Sequence, residues 1–364
     1  RRQKSCLAML FFDLDNFKPV NDSLGHAAGD TLLRQMAERM NKLIGEDDVL
    51  CRFGGDEFLL LTAFNPGEEK RINQVAQALI DAATRPFFIM DTLIEVSASV
   101  GVAFAPQHGT SFSELCQHAD LAMYQAKDDG RHIFRIYDDS MKRLSKEKLN
   151  MMASLRDALK NREFTVQYQP QIRLGNGSVC GAEALIRWRL GSGAFVSPAD
   201  FIPLAESTGI IVDIGYWVLR ESCIACAQWR SQGHQDMTVS VNLSYVQFRD
   251  GDLPGKVKTV LNETGLPPSA LELELTESML IGESVHVQRQ MDELHQLGVR
   301  FAIDDFGTGY SNLGYLQRFN ASRLKVDKSF VSDLGQSDRD RPLVRAIIQM
   351  ADSLNMQVVA EGVE

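Results

Sequence analysis

From Glu163 onward, short apolar segments recur along the chain and close on polar or charged residues. They cover residues 164–174, 179–188, 238–243, 270–276, 300–305, 322–327 and 357–361, with helix-length stretches between most of them. That rhythm predicts the βα units of a parallel, TIM-like (β/α)8 barrel. The count reaches seven strands where a closed barrel of this type needs eight, so the barrel is expected to lack its last strand. The chemistry-bearing residues sit at the C-terminal strand ends, where barrel enzymes place their active sites. They are Glu183, Asn242, Glu274, Asp304, Asp305, Lys325 and Glu361. Carboxylates converging in one bowl repel one another unless divalent cations are bound, and hard oxygen ligands suit Mg²⁺ or Mn²⁺. The adjacent Asp304-Asp305 pair can supply one bridging carboxylate and one for a second ion. Two metals roughly 3.5–4 Å apart are a standard arrangement for activating water against a phosphodiester. A lone Glu at a strand end is usually just solvated, and Lys325 with Asp327 alone would be an ordinary surface pair. Successive strands ending the same way outweigh that reading.

The first half mixes strands and helices irregularly. Residues 6–13 read as a strand, 30–43 as an amphipathic helix, and 49–62 as two strands around a Gly-Gly turn. Residues 68–84 read as a helix, 87–105 as a hairpin, 112–128 as a helix and 132–137 as a strand. This is an α+β pattern with a mostly antiparallel sheet. Residues 138–161, charged and free of Gly and Pro, read as a helical connector. The expected organisation is therefore a first domain over 1–137, the connector over 138–161 and the barrel over 162–364.

Charge excludes one class of partner. With 38 basic and 48 acidic residues the net charge is −10, which disfavours a nucleic acid polymer, whose binding draws on Lys and Arg. The longest apolar run, residues 6–12, falls far short of the roughly 20 needed to cross a bilayer. Arg1-Arg2-Gln3-Lys4 is followed too soon by Asp13 and Asp15 to open a signal peptide. Six cysteines are too sparse for a disulfide scaffold. Cys223 and Cys226 form a C-x-x-C without a partner pair or a nearby His, so they are read as free thiols in a reducing cytoplasm.

Glu183-Ala184-Leu185-Ile186-Arg187-Trp188 resembles the signature of the EAL-domain cyclic-di-GMP phosphodiesterases. The resemblance continues through Asn242-Leu243-Ser244, Glu274-Leu275-Thr276-Glu277, Asp304-Asp305-Phe306-Gly307-Thr308-Gly309, Lys325-Val326-Asp327 and Glu361-Gly362-Val363-Glu364. It implies that Glu183, Asn242, Glu274, Asp304 and Asp305 bind two metals, with Glu361 joining the second metal or its water. By the same resemblance Lys325 positions and helps deprotonate the attacking water, Arg187 holds a substrate phosphate, and Asp327 belongs to the substrate site. Residues 304–309 would be the family's mobile loop, anchored by Glu277. The family's last strand, with a substrate-facing Gln, is missing from this sequence.

Arg52-Phe53-Gly54-Gly55-Asp56-Glu57-Phe58 reads as a strand, a glycine turn and a strand, with Asp13 ending the first strand opposite. Glycines permit the turn and let phosphates approach the backbone. Phe12-Asp13-Leu14-Asp15-Asn16-Phe17-Lys18, Asn21-Asp22-Ser23-Leu24-Gly25-His26 and Gly29-Asp30 precede it, and Ala126-Lys127 and Gly130-Arg131 follow. In that order they resemble the GGDEF diguanylate cyclases. The resemblance implies that Asp13 and Glu57 take Mg²⁺ with GTP and that Asp56 assists 3′-hydroxyl activation. Asn21 and Asp30 would read the guanine edge, and Lys18, Lys127 and Arg131 the phosphates. One GTP per domain makes a cyclase at least a homodimer. The family's product-inhibition R-x-x-D reads Gly45-Glu46-Asp47-Asp48 here; the Arg is lost, and with it bidentate capture at that site.

The two resemblances together imply cyclic-di-GMP turnover. The EAL domain would hydrolyse cyclic-di-GMP to linear pGpG, and the GGDEF domain would bind GTP, either condensing two or activating hydrolysis allosterically. The alternative is a non-catalytic cyclic-di-GMP receptor, a kind that typically loses metal ligands. The family's opening turn and helix are also missing, so an upstream sensory domain in a longer protein is expected. That protein would be cytoplasmic, with anchoring at the bacterial inner membrane open to the full-length chain.

Overall fold

A computed structural model describes residues 6–249, 252–277, 279, 285–307, 319, 321–332 and 340–363. The chain divides into two compact units, Arg1–Asn150 and Met151–Glu364.

The first unit is built on β1 (Cys6–Asp15), flanked in a five-stranded sheet by β2 (Val49–Gly54), β3 (Glu57–Phe64), β6 (Ser97–Ala105) and β7 (Phe134–Ile136). The order is β2-β3-β1-β6-β7, antiparallel except between β6 and β7. Strand alternation divides the near-continuous apolar run of β1 between two cores. Ala8, Leu10, Phe12 and Leu14 enter one core with α2 (His26–Asn41) and α3 (Glu69–Thr84), whereas Met9 and Phe11 face α4 (Phe112–Asp128). Asp13 shares the parity of Met9 and Phe11, which carries it toward α4.

Three features of this unit were not read from the sequence. Phe17–Leu24 forms a short helix, α1, with its proline in the first turn, where no intrahelical N–H is needed. The expected hairpin over 87–105 is instead a separate two-stranded ribbon, β4 (Phe87–Ile89) with β5 (Thr92–Ile94), turned by Met90 and Asp91 at positive φ. Ser97–Ala105 leaves that ribbon and pairs with β1, because its buried residues fit only between two covered faces. Arg39 of α2 closes the C-terminal end of α3. Its guanidinium donates to the carbonyls of Ala82, Arg85 and Pro86 and stacks 3.7 Å from the Phe87 ring centroid. The helix α5 (Asp139–Ala158) runs across the division between the units.

In the second unit, β8 (Phe164–Ile172) and β9 (Val179–Arg189) form an antiparallel hairpin. The intervening turn is too short for the crossover that parallel strands need, so the parallel reading of this first pair is corrected. The parallel strands are β9, β11 (Thr238–Asn242), β12 (Leu271–Thr276), β13 (Arg300–Phe306), β14 (Arg323–Val326) and β15 (Gln357–Ala360). A two-residue strand, β10 (Phe195–Val196), joins β9. Helices α6 (Pro198–Thr208), α7 (Ile211–Ser231), α8 (Tyr245–Arg249), α9 (Leu253–Thr264), α10 (Val285–Gln296), α11 (Lys328–Ser332) and α12 (Asp340–Ser353) supply the crossovers. The result is a curled, open half-barrel; among the described residues no pairing joins β15 to β8. No helix of the described residues is long and apolar enough to cross a membrane.

Cys223 and Cys226 lie inside α7 and are buried, and burial pushes their thiols up to about 12 and about 11. Under native conditions at neutral pH an alkylating reagent should label exposed Cys51 and spare this pair until the protein unfolds, as read by peptide mass spectrometry. Arg39→Met should lower unfolding free energy by about 1–3 kcal/mol, since charged hydrogen bonds to the helix-end carbonyls are lost; urea titration reads it.

Candidate active sites

The strand ends of the second unit bring the sequence-derived carboxylates together around one ammonium. Lys325 is 1% exposed. Its Nζ lies 3.0 Å from Glu183 Oε2, 2.8 Å from Glu274 Oε2, 3.0 Å from Asp304 Oδ1 and 2.8 Å from Glu361 Oε1. Burial by itself would lower the lysine's pKa, but the attraction of Glu274, Asp304 and Glu183 outweighs it and holds the ammonium above its ordinary range. Burial pushes the Glu274 carboxyl up to about 8, against the pull of Lys325, with Glu183 and Asp304 adding to the rise. Asn242 donates from Nδ2 to Glu183 Oε1 at 2.8 Å, fixing the carboxylate that faces Lys325.

Asp305 reaches this bowl only because the backbone departs from a regular strand. Alternation would turn it to the face opposite Asp304. Instead β13 is irregular between Ile303 and Phe306 in its pairing with β14, and Asp305 adopts φ 52°. A bulge re-aims a side chain in this way. Oxygen atoms of Asp304, Asp305 and Glu361 then lie within 4.8 Å of one another, as do those of Glu183, Glu274 and Asp304. Asp304 belongs to both triads. Glu274 Oε1 is buried with no hydrogen-bond partner, an acceptor left open where a cation would sit. Five carboxylates against one ammonium, with such an orphaned oxygen, fit a pair of hard divalent ions.

Around this centre, Arg187 follows Glu183 by four residues and shares its face of β9; its Nε donates to Gln167 Oε1 at 3.0 Å. Asp327 caps the start of α11, accepting from the Ser329 backbone N–H at 2.9 Å. Glu277 Oε2 accepts from the Gly307 N–H at 3.3 Å, at the start of the expected loop. Gly307 has φ 101°, and a Cβ there would stand 2.9 Å from the Phe330 ring. Thr308, Gly309 and Glu364 lie outside the described residues.

The first unit assembles a sparser site. Asp13 and Glu57 are directly paired across β1 and β3, and Lys127 of α4 approaches Asp13 Oδ1 at 2.8 Å. Burial raises the Asp13 carboxyl, although Lys127 opposes it and Asp56 and Asp15 add to the rise. Burial likewise raises Glu57, helped by Asp13, Asp120 and Asp56. The turn differs from the sequence reading. Gly54 still pairs with Glu57, so the two turn residues are Gly55, at φ 50°, and Asp56. Arg52 braces the turn by donating to the Gly55 carbonyl at 2.8 Å.

Asn21 lies on α1 with its Oδ1 where a Cβ on Gly29 would stand, which requires glycine beside Asp30. Asp30 lines a cavity of about 330 Å³ with Arg34, Asn41, Cys51 and Arg52. Lys18 is exposed. Arg131, at φ 61°, stands 3.9 Å from Asp15 Oδ1. Sequence reasoning passed over Asp15. It is 3% exposed and accepts from Ser97 Oγ at 2.6 Å, Ser99 Oγ at 2.8 Å and the His132 N–H at 3.4 Å. It thereby holds the turn that carries Arg131. Asp120, seven residues before Lys127 on the same face of α4, was also missed; both residues had a signal in strand and helix periodicity. Asp48, at the position of the product-inhibition motif, accepts from the Gly45 N–H at 2.8 Å and closes a local turn.

Fold and sites together define a two-domain chain in which an α+β unit precedes a curled half-barrel with an acidic centre at its strand ends. The EAL domain family matches residues 152–364, and the chain belongs to that family. The diguanylate cyclase, GGDEF domain family matches residues 1–132, so the two domains stand in tandem. The chain is 41% identical over 358 residues to the bifunctional diguanylate cyclase/cyclic di-GMP phosphodiesterase MucR of Pseudomonas aeruginosa, covering 98% of this chain and 52% of the relative. It is 38% identical over 358 residues to the cyclic di-GMP phosphodiesterase PdeR of Escherichia coli, covering 98% and 54%. The chain thus spans about half the length of these curated relatives. The PaMucR phosphodiesterase, solved as a c-di-GMP complex, matches with TM-score 0.56 and 42% identity over 59% of this chain and 87% of that one. The S helix-GGDEF-EAL structure of Vibrio cholerae LapD matches with TM-score 0.62 over 98% of this chain and 84% of that one. At 18% identity that match shows the fold alone.

Replacing Lys325 by Met would leave the buried carboxylates without their ammonium. Metal-free Lys325→Met protein should lose about 3–5 kcal/mol of stability, and millimolar Mn²⁺ should restore much of it. Thermal unfolding with and without Mn²⁺ reads both effects.

Proposed function

We propose that this chain turns over cyclic di-GMP, hydrolysing it in the EAL unit to linear pGpG, with GTP bound by the GGDEF unit. The observation that carries the reading is the pair of carboxylate triads sharing Asp304. Glu183, Asn242, Glu274, Asp304, Asp305 and Glu361 would hold two ions, Mg²⁺ or Mn²⁺. Bound there, the ions would supply Lewis acidity to the phosphodiester and balance the excess negative charge. Arg187 presents a planar guanidinium to a substrate phosphate, and Asp327 lines the same mouth. Water adds across one P–O ester bond, so that the phosphate gains a hydroxyl and the leaving ribose oxygen gains a proton. Lys325 and Glu361 are hydrogen-bonded partners at 2.8 Å. With the lysine an ammonium, Lys325 orients the water and Glu361 is the member able to take its proton. Glu277 accepts from the Gly307 N–H and would tether the start of the loop beside the Asp304-Asp305 pair.

In the GGDEF unit, Asp13 and Glu57 would hold Mg²⁺ with the triphosphate, which would release Lys127 from Asp13 to join Lys18 and Arg131 on the phosphates. Asn21 and Asp30 would read guanine, whose edge offers both donors and acceptors to an amide and a carboxylate. Asp56 would activate the 3′-hydroxyl. Condensation of two GTP needs two such units face to face, hence a homodimer.

Chromatography of reactions supplied separately with cyclic di-GMP and GTP, with Mg²⁺ or Mn²⁺, tests this. Linear dinucleotide is expected from the wild type and none from Glu183→Ala. Any GTP consumption should vanish in Asp56→Ala, and Gly29→Ala should weaken GTP binding at least about tenfold by displacing Asn21, about the discrimination a lost hydrogen-bonding partner gives. Tight cyclic di-GMP binding with no product would instead leave a receptor. Because Asp48 is tied into its own turn and the motif's Arg is Gly45, added cyclic di-GMP should not inhibit GTP consumption through that turn.

A further inference from the structure

Below the carboxylates the same strands carry a second layer of polar side chains. Ser240, Glu272 and Arg323 each precede Asn242, Glu274 and Lys325 by two residues, so alternation turns them to the same interior face. Arg323 donates from Nη1 to Glu272 Oε1 at 2.8 Å and to Gln171 Oε1 at 3.0 Å, and from Nη2 to Gln357 Oε1 at 3.3 Å. Ser240 Oγ donates to Glu272 Oε1 at 2.9 Å, and Gln171 Nε2 reaches Ser240 Oγ at 3.4 Å. Most of these contacts join strands close together in the sheet. The Gln171–Arg323 bond does not: β8 and β14 are separated by β9, β11, β12 and β13. It is a chord across the curl. Gly181 makes room for it. Gly181 faces Gln171 in the β8–β9 register, and a Cβ there would stand 2.9 Å from Gln171 Oε1.

The chord matters because the curl of the sheet decides whether strand ends far apart in the strand order meet, and this bond spans β8 to β14 directly. Glu183 on β9 must meet ligands from β12 and β13, and its other tie across the interior is to Lys325 at 3.0 Å. A cation that draws Glu183 away from Lys325 removes that upper tie and leaves the lower one.

We propose that Gln171 is a positioning residue for the metal-binding layer: through Arg323 it fixes the curvature that brings Glu183 to the carboxylates of β12 and β13. The inference rests on the metal-dependent hydrolase reading above. Gln171→Met removes the chord while leaving Arg323 paired with Glu272, and Gln171→Glu keeps an acceptor for Arg323.

Calorimetric titration of the full chain with Mn²⁺ alone, beside circular dichroism and thermal unfolding, tests the role. Gln171→Met should stay folded and bind Mn²⁺ about tenfold or more weakly, while Gln171→Glu stays within about threefold of wild type, in the range seen for supporting shells of metal sites. Should Gln171→Met fail to fold, Gln171→Asn, one methylene too short to reach Arg323, should show the same loss. Unchanged Mn²⁺ affinity in the folded Met or Asn variant overturns the proposal. Equal losses in the Met and Glu variants, tracking a lowered unfolding midpoint, overturn it too and leave a purely structural role. A wild type that binds no Mn²⁺ sinks the hydrolase reading itself, a result distinct from an unchanged variant.

Discussion

The second unit is organised around the Lys325 ammonium and the carboxylates of Glu183, Glu274, Asp304 and Glu361 that touch it. Those four acids come from or just beyond four different strands, so the contact exists only if β9, β12, β13, β14 and β15 are in register and curled to one radius. In turn, the acids could not be buried at that radius without a cation among them, because like charges in a low-dielectric interior raise one another's cost. The lysine therefore does for the isolated protein what divalent ions would do for the loaded one. One ammonium leaves the site an excess of negative charge that divalent ions would offset, and the orphaned Glu274 oxygen is an acceptor open to them.

The layer beneath is balanced differently. Arg323 and Glu272 are both buried and satisfied by Ser240, Gln171 and Gln357, so this pair needs no exogenous ion. A satisfied polar layer under an unsatisfied one places the excess negative charge at the open end of the barrel, where a phosphodiester and its metals would enter. Breaking a buried pair costs more than the pair itself contributes, so loss of either partner in the lower layer would leave an uncompensated buried charge.

The GGDEF unit shows the same economy on a smaller scale. Lys127 occupies Asp13, and burial with neighbouring acids raises both Asp13 and Glu57. Asp15 is committed to two serines and the backbone of His132, so of two aspartates on one strand face one is held by neutral donors and the other by an ammonium. Tandem association of the two domains, seen also in relatives of this family, puts two sites for guanine nucleotides on one chain in the proposed reading.

Much of this was legible in the residues. Hydrophobic runs ending in carboxylates located the strand ends of the half-barrel, and the order of Asp13, the glycine turn and Lys127 located the first site. Periodicity determines which residues share a strand or helix face, and that is a local property of the chain. What only the tertiary structure decided was non-local. The bulge that turns Asp305 toward Asp304 contradicts strand alternation, and the antiparallel sense of β8 reflects its short turn to β9. Residues 97–105 left the expected hairpin because β1 offered a covered edge. The lysine's four partners and the Gln171–Arg323 chord join residues up to 152 positions apart, and such meetings depend on sheet curvature, a sum over many strand pairings that no single segment encodes.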